Sequence, residues 1–154
     1  MPSGCGMNKS LRYALGALRI GLGVYFLYAG VSKIMDPSWS AAGYLNAAKT
    51  FPGLFQWFAL PANIGWVNFL NEWGLTLIGV ALVTGIAVRW TSKAAIALMV
   101  LYYLPILDFP YVGERAWLVD DHIIFIAAFL VLLFFQGEQS WSLERFAPKF
   151  LRDK

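Results

Sequence analysis

The chain has one cysteine, Cys5, and one histidine, His122, in 154 residues. A lone thiol closes no internal disulfide, and without a second cysteine there is no CxxC relay. One histidine and one cysteine also fall short of a zinc ligand set, and a bis-histidine haem would need an imidazole from another chain. Scattered carboxylates around a single histidine select no metal. Charge is scarce as well. Only 14% of the residues are charged, against about 25% in an ordinary soluble domain. That leaves no room for a separate soluble catalytic domain. The net charge of +3 does not point to nucleic acid, because the basic residues fall at the ends of apolar segments, as they do in membrane proteins.

Apolar length is what the chain has instead. Hydrophobic residues make up 59% of it, with a mean hydropathy of +0.60. Four apolar stretches stand out, at residues 11–34, 66–88, 93–108 and 121–136. A crossing helix needs about 20 residues, with a lower limit near 17. The first two stretches meet this. The last two are short and rely on flanking aromatics, Tyr102, Tyr103, Phe109 and Tyr111 for one, Trp117 and Trp141 for the other. The last stretch lacks the polar face of a soluble helix. The expected fold is an all-α integral membrane protein, a bundle of four transmembrane helices in up-down order.

With four crossings both termini share a side. That side carries Lys9, Arg12, Arg89, Lys93, Arg145, Lys149, Arg152 and Lys154, and the other only Lys33, Lys49 and Arg115. The asymmetry predicts cytoplasmic termini; the inner membrane of a prokaryote is the expected location. Residues 1–10 are then a tail too short and polar for a cleaved signal peptide, 11–145 the membrane domain, and 146–154 a basic tail. The outer connection, residues 36–65, is rich in aromatics at near-helical spacing and is broken at Pro52-Gly53 and Pro61. It reads as two short amphipathic helices forming a lid over the outer end. Small residues spaced by four, Ala17 with Gly21 and Ala81 with Gly85, predict where the helices approach.

The ionisable residues inside the apolar stretches gather towards that outer end: Lys33, Glu72, Asp108, Asp120, Asp121 and His122. A charge in a bilayer costs roughly 2.5–3.5 kcal/mol on insertion scales, so it persists where it is paired or faces a cavity. Glu72, Asp121 and His122 are the candidate proton-exchanging groups, histidine being the side chain that titrates near neutrality. Plainer roles compete. Asp120 or Asp121 can cap the last helix, Lys33 can reach for headgroups, and Arg19 can serve structure or headgroups.

Three runs, LRIGLGVYFLYAGVSKIMDP at 18–37, EWGLTLIGVALVTGIAVRW at 72–90 and LVDDHIIFIAAFLVLL at 118–133, resemble the DoxX/DoxD family of small four-helix membrane proteins. The likeness extends over about residues 11–145, and its most specific pieces are AGVSK at 29–33 and DDHII at 120–124. It implies the membrane subunit of a thiosulfate:quinone oxidoreductase or of a related thiol-stress complex, working with a separate second subunit. Quinone would then be the substrate. The pocket for it is expected at Tyr28, Trp73 and Tyr103, with Tyr25 and Tyr102 as further aromatics. Lys33, Asp108 and Arg115 would form the donor-binding mouth. The alternative is a non-catalytic anchor or assembly subunit. Lipid and a protein subunit are the expected partners, self-association stays open, and neither haem, metal nor nucleic acid is expected.

Overall fold

A computed structural model describes residues 8–113, 116–135 and 141–143. Four principal helices carry it: α1, Lys9–Ile34; α4, Ile64–Thr84; α5, Val88–Ile106; and α6, Asp121–Phe134. Two short ones, α2 (Ala42–Asn46) and α3 (Pro52–Phe58), sit between α1 and α4, where the aromatic connection predicted them. By length and composition α1 and α4 are apolar and long enough to cross a membrane. The helix α6 is equally apolar but has 14 residues, about 21 Å at 1.5 Å per residue.

The α4–α5 turn comes earlier than hydropathy alone suggested. Gly85 (φ 72°) ends α4 in the left-handed region, and its N–H reaches the Ala81 carbonyl at 2.8 Å. Such a cap favours glycine, which has no Cβ to clash. Arg89 and Lys93 therefore lie inside α5.

Helices α1 and α4 meet through glycines, and of the expected four-residue steps Gly85 takes part, since a Cβ on it would strike the Arg19 side chain of α1. A Cβ on Gly23 would stand 2.8 Å from the Val83 amide nitrogen, one on Gly79 would strike the Leu27 backbone, and one on Gly30 would strike Thr76. Gly23 and Gly30 are seven residues apart, about two turns, and so share a face. Ala17 and Gly21 lie on an exposed face, and Gly21 has open space around it. Between the four helices Leu22, Phe26, Leu75, Leu82, Met99, Phe129 and Leu132 form the core. Phe26 meets Phe125 and Phe129 edge-on at 5.6 and 5.3 Å.

The end opposite the α4–α5 turn is closed by the lid. Ala41, Leu45, Ala48 and Phe55 make a second apolar cluster that packs on Ile64, Val67 and Leu104. Hydrogen bonds fasten it. The Asn68 side chain accepts from the Ala41 amide at 3.0 Å, the Lys49 amide donates to the Pro105 carbonyl at 2.7 Å, and Thr50 Oγ1 donates to the Leu107 carbonyl at 2.5 Å. Beside the lid, β1 (Leu107–Asp108), β2 (Tyr111–Val112) and β3 (Ala116–Trp117) form an antiparallel ribbon in the order β1-β2-β3. An all-α reading misses this ribbon, because strands of two residues are too short to show alternation.

At the turn end Arg19 is fully buried. Its Nη2 donates to the Trp141 carbonyl at 2.9 Å, Ser142 Oγ donates to Gly85 O at 2.8 Å, and the Leu143 amide donates to Thr84 O at 2.9 Å. Arg19 thus ties the segment after α6 to α1, the structural of its two expected roles.

Candidate functional site

Three cavities that share wall residues lie at the lid end. The innermost, about 120 Å³, is walled by Tyr25, Ala29 and Lys33 of α1, by Leu75 and Met99, and by His122 and Phe125 of α6. The middle one, about 260 Å³, shares Lys33, Tyr102 and His122 with it and adds Trp39, Tyr44 and Asn71. The third, about 190 Å³, is an apolar slot beneath the lid that shares Tyr44, Asn71 and Tyr102 with the middle chamber. Tyr102 stands in the wall of all three. Each helix offers one stripe: Tyr25, Ala29 and Lys33 are spaced by four, as are Asn71 and Leu75, while His122 and Phe125 are spaced by three.

The chemistry concentrates at the start of α6. Asp120 is its N-cap, and Oδ1 accepts from the Ile123 amide at 3.3 Å. The other carboxylate oxygen, Oδ2, lies 2.6 Å from His122 Nδ1. A carboxylate only accepts, so Nδ1 carries the hydrogen and Nε2 is left as the nitrogen able to exchange a proton with the cavity. Asp121 Oδ1 lies 3.3 Å from the same nitrogen. The Asp120 side chain is 9% exposed and that of Asp121 67%, so Asp120 is the partner shielded from water. The Tyr102 ring stands edge-on to the imidazole, centres 6.1 Å apart, and its hydroxyl donates to Asn71 Oδ1 at 2.5 Å. Tyr44 hydroxyl in turn donates to the Tyr102 carbonyl. Burial, and then the negative charges of Asp120 and Asp121, push the Tyr44 hydroxyl up to about 12. Lys33 Nζ sits 5.1 Å from the centre of the Trp39 ring and donates to Ala29 O at 3.4 Å.

A family model described as DoxX matches residues 14–106. The chain belongs to the DoxX family. No curated protein and no solved structure matches it. Membership, together with the apolar α1 and α4, makes this DoxX chain a membrane protein. The match includes Lys33, Asn71 and Tyr102 and stops before the Asp120–His122 pair.

Of the residues singled out in the sequence of this DoxX protein, Lys33, Asp121 and His122 come together around the inner chamber. Glu72 does not join them. It is half-buried on α4, and its neighbour Asn71 occupies the wall. Asp108 is exposed on β1, away from the three cavities. Tyr28 and Trp73, expected at a quinone ring, are 76% and 45% exposed on outer faces. Tyr103 donates to the Leu118 carbonyl at 2.7 Å and so fixes the segment leading into α6. Arg115 lies outside the described residues. The walls are made instead by Tyr25 and Tyr102, with Asn71, Tyr44 and Trp39. Counting back from Lys33 in steps of four reaches Ala29 and Tyr25, a signal present in the sequence, whereas Tyr28 is rotated by about 100° from Ala29.

Asp120, Asp121 and His122 also form the one group among the described residues able to bring three ligand atoms together, within 4.8 Å of one another. The close Asp120 contact engages Nδ1, the geometry of a hydrogen-bonded acid–imidazole pair.

Proposed function

We propose that this DoxX protein is the membrane subunit of a quinone-linked oxidoreductase, with the quinone ring held in the inner and middle chambers. One observation carries the reading: an Asp–His pair at 2.6 Å, His122 facing chambers that it shares with Lys33 and Tyr102. Reducing a quinone to a quinol takes two electrons and two protons. Its site therefore needs apolar ring walls and a group that exchanges protons beside the ring oxygens. Tyr25, Phe125 and Tyr102 supply walls, His122 exchanges protons, and Asp120 orients the imidazole. Lys33 stabilises negative charge on a ring oxygen or draws in an anionic sulfur donor such as thiosulfate. The electrons come from such a donor by way of a second subunit, since one cysteine and one histidine make no relay here. In this reading α1, α4, α5 and α6 all cross the inner membrane of a prokaryote, with both termini cytoplasmic.

Purification from membranes in mild detergent, followed by mass spectrometry, tests it. Quinone retained by the wild type and lost from His122→Gln supports the redox site. A stable protein partner without quinone would favour the second reading, a non-catalytic anchor. The observation favouring that one is the ribbon, where Phe109, Tyr111 and Trp117 are exposed beside Asp108 as a docking surface would be.

A further inference from the structure

The third cavity has no part in proton exchange, yet it shares a wall with the chambers that do. Its walls are Leu45, Phe55 and Phe58 from the lid side and Leu70, Leu98 and Leu101 from α4 and α5. Its polar lining includes Tyr44, Asn71 and Tyr102, which with Ala41 it shares with the middle chamber. Those side chains are already engaged with one another, Tyr44 with the Tyr102 carbonyl and Tyr102 with Asn71. They form a partition with a polar chamber on one side and an apolar slot on the other. Leu70 and Leu101, which line the slot from different helices, are 58% and 52% exposed. The slot is therefore open on its α4 and α5 side.

A molecule filling both spaces would have a polar head and an apolar tail. The geometry points to a side entrance: the slot receives the isoprenoid tail of the quinone, and the ring reaches His122 from within the bilayer, past the Tyr44–Tyr102 partition. This rests on the quinone reading above and adds to it the route by which the ring enters. The slot gives a tail no hydrophobic gain, since lipid is equally apolar. Its function is steric. A ring anchored in the bilayer by its tail reaches the chamber only if the tail has a channel leading out.

The test uses the full chain in lipid nanodiscs with two radiolabelled probes, a tailless benzoquinone and the same ring bearing a decyl tail. Leu70→Trp and Leu101→Trp, made separately, plug the opening at exposed positions, so that loss of folding in one leaves the other to be read. The wild type binds both probes. Each plug weakens the tailed probe by about tenfold or more, the effect of modest overpacking, and leaves the tailless probe unchanged, while His122→Gln weakens both. Equal effects of the plugs on the two probes, or none on either, overturn the side entrance and leave the quinone site standing. Failure of the wild type to bind either probe overturns the quinone reading and the entrance with it.

Discussion

Asp120 serves two groups with one carboxylate, and substitution can separate them. One oxygen caps α6 through the Ile123 amide, and the other holds His122 Nδ1 at 2.6 Å. Asparagine caps a helix about as well as aspartate, whereas alanine at an N-cap costs about 1 kcal/mol. Asp120→Asn should therefore keep the wild-type unfolding temperature but lose proton transfer, by about 10²-fold or more in quinone reduction. Asp120→Ala should lose both. Full activity in a folded Asp120→Asn protein would remove the pair from the mechanism. Tyr44 gives a second handle. Its hydroxyl is held up to about 12 by burial and by Asp120 and Asp121, so the folded state favours the neutral form. That contribution is complete below the ordinary tyrosine value of about 10 and is lost as pH rises through the folded value near 12. Phenolate absorbance should lose one late-titrating tyrosine in Tyr44→Phe. A component lost from the ordinary range instead would contradict the burial of the Tyr44 hydroxyl beside the α6 carboxylates.

At the scale of elements, glycine position separates contact from mere small size. Gly23, Gly30 and Gly79 sit where α1 and α4 touch, and Gly21 and Gly74 face open space. Gly79→Ala should lower stability by about 1–3 kcal/mol through overpacking. Gly74→Ala, inside a helix and without a neighbour, should raise it by up to about 1 kcal/mol through helix propensity. Thermal unfolding in detergent reads both, and equal effects would mean that α1 and α4 meet on other faces. This contrast shows what was legible in the sequence. Hydropathy located the helices to within a few residues, since a long apolar run has little choice. Which small residues touch was only partly legible from a four-residue spacing: Gly85 meets Arg19 of α1 and Gly21 meets nothing, because both helices are lined with small residues on more than one face and only the partner's position chooses among them. The same held for the site. Lys33 and His122 were visible as rare charges in apolar runs, but Asn71 was hidden behind its charged neighbour Glu72. Tyr25 and Tyr28, three residues apart, could be told apart only once the face bearing Lys33 was fixed.

For the whole molecule, the shared chamber constrains topology more tightly than helix length does. Length and composition single out α1 and α4 as crossings, and α6, about 21 Å long, falls short of about 30 Å of hydrocarbon unless flanking residues or a thinner bilayer make up the difference. Yet Lys33 near the end of α1 and His122 at the start of α6 line one cavity. The two must lie on the same side of the membrane and at similar depth. If α1 delivers the chain outward and α4 returns it, α5 must carry it outward again to bring His122 to Lys33, and α6 must then return it. Impermeant maleimide labelling of intact cells decides this. Cys5 is a natural reporter for the N-terminal side, while Ser38→Cys and Val119→Cys, both at exposed lid-end positions, report the other in a Cys5→Ser background. Four crossings predict that Ser38→Cys and Val119→Cys label from outside and that Cys5 does not. If only α1 and α4 crossed, Val119→Cys would be protected while Ser38→Cys labelled. The chamber joining Lys33 to His122 could not then exist in the membrane, and the site built on it would fall with it.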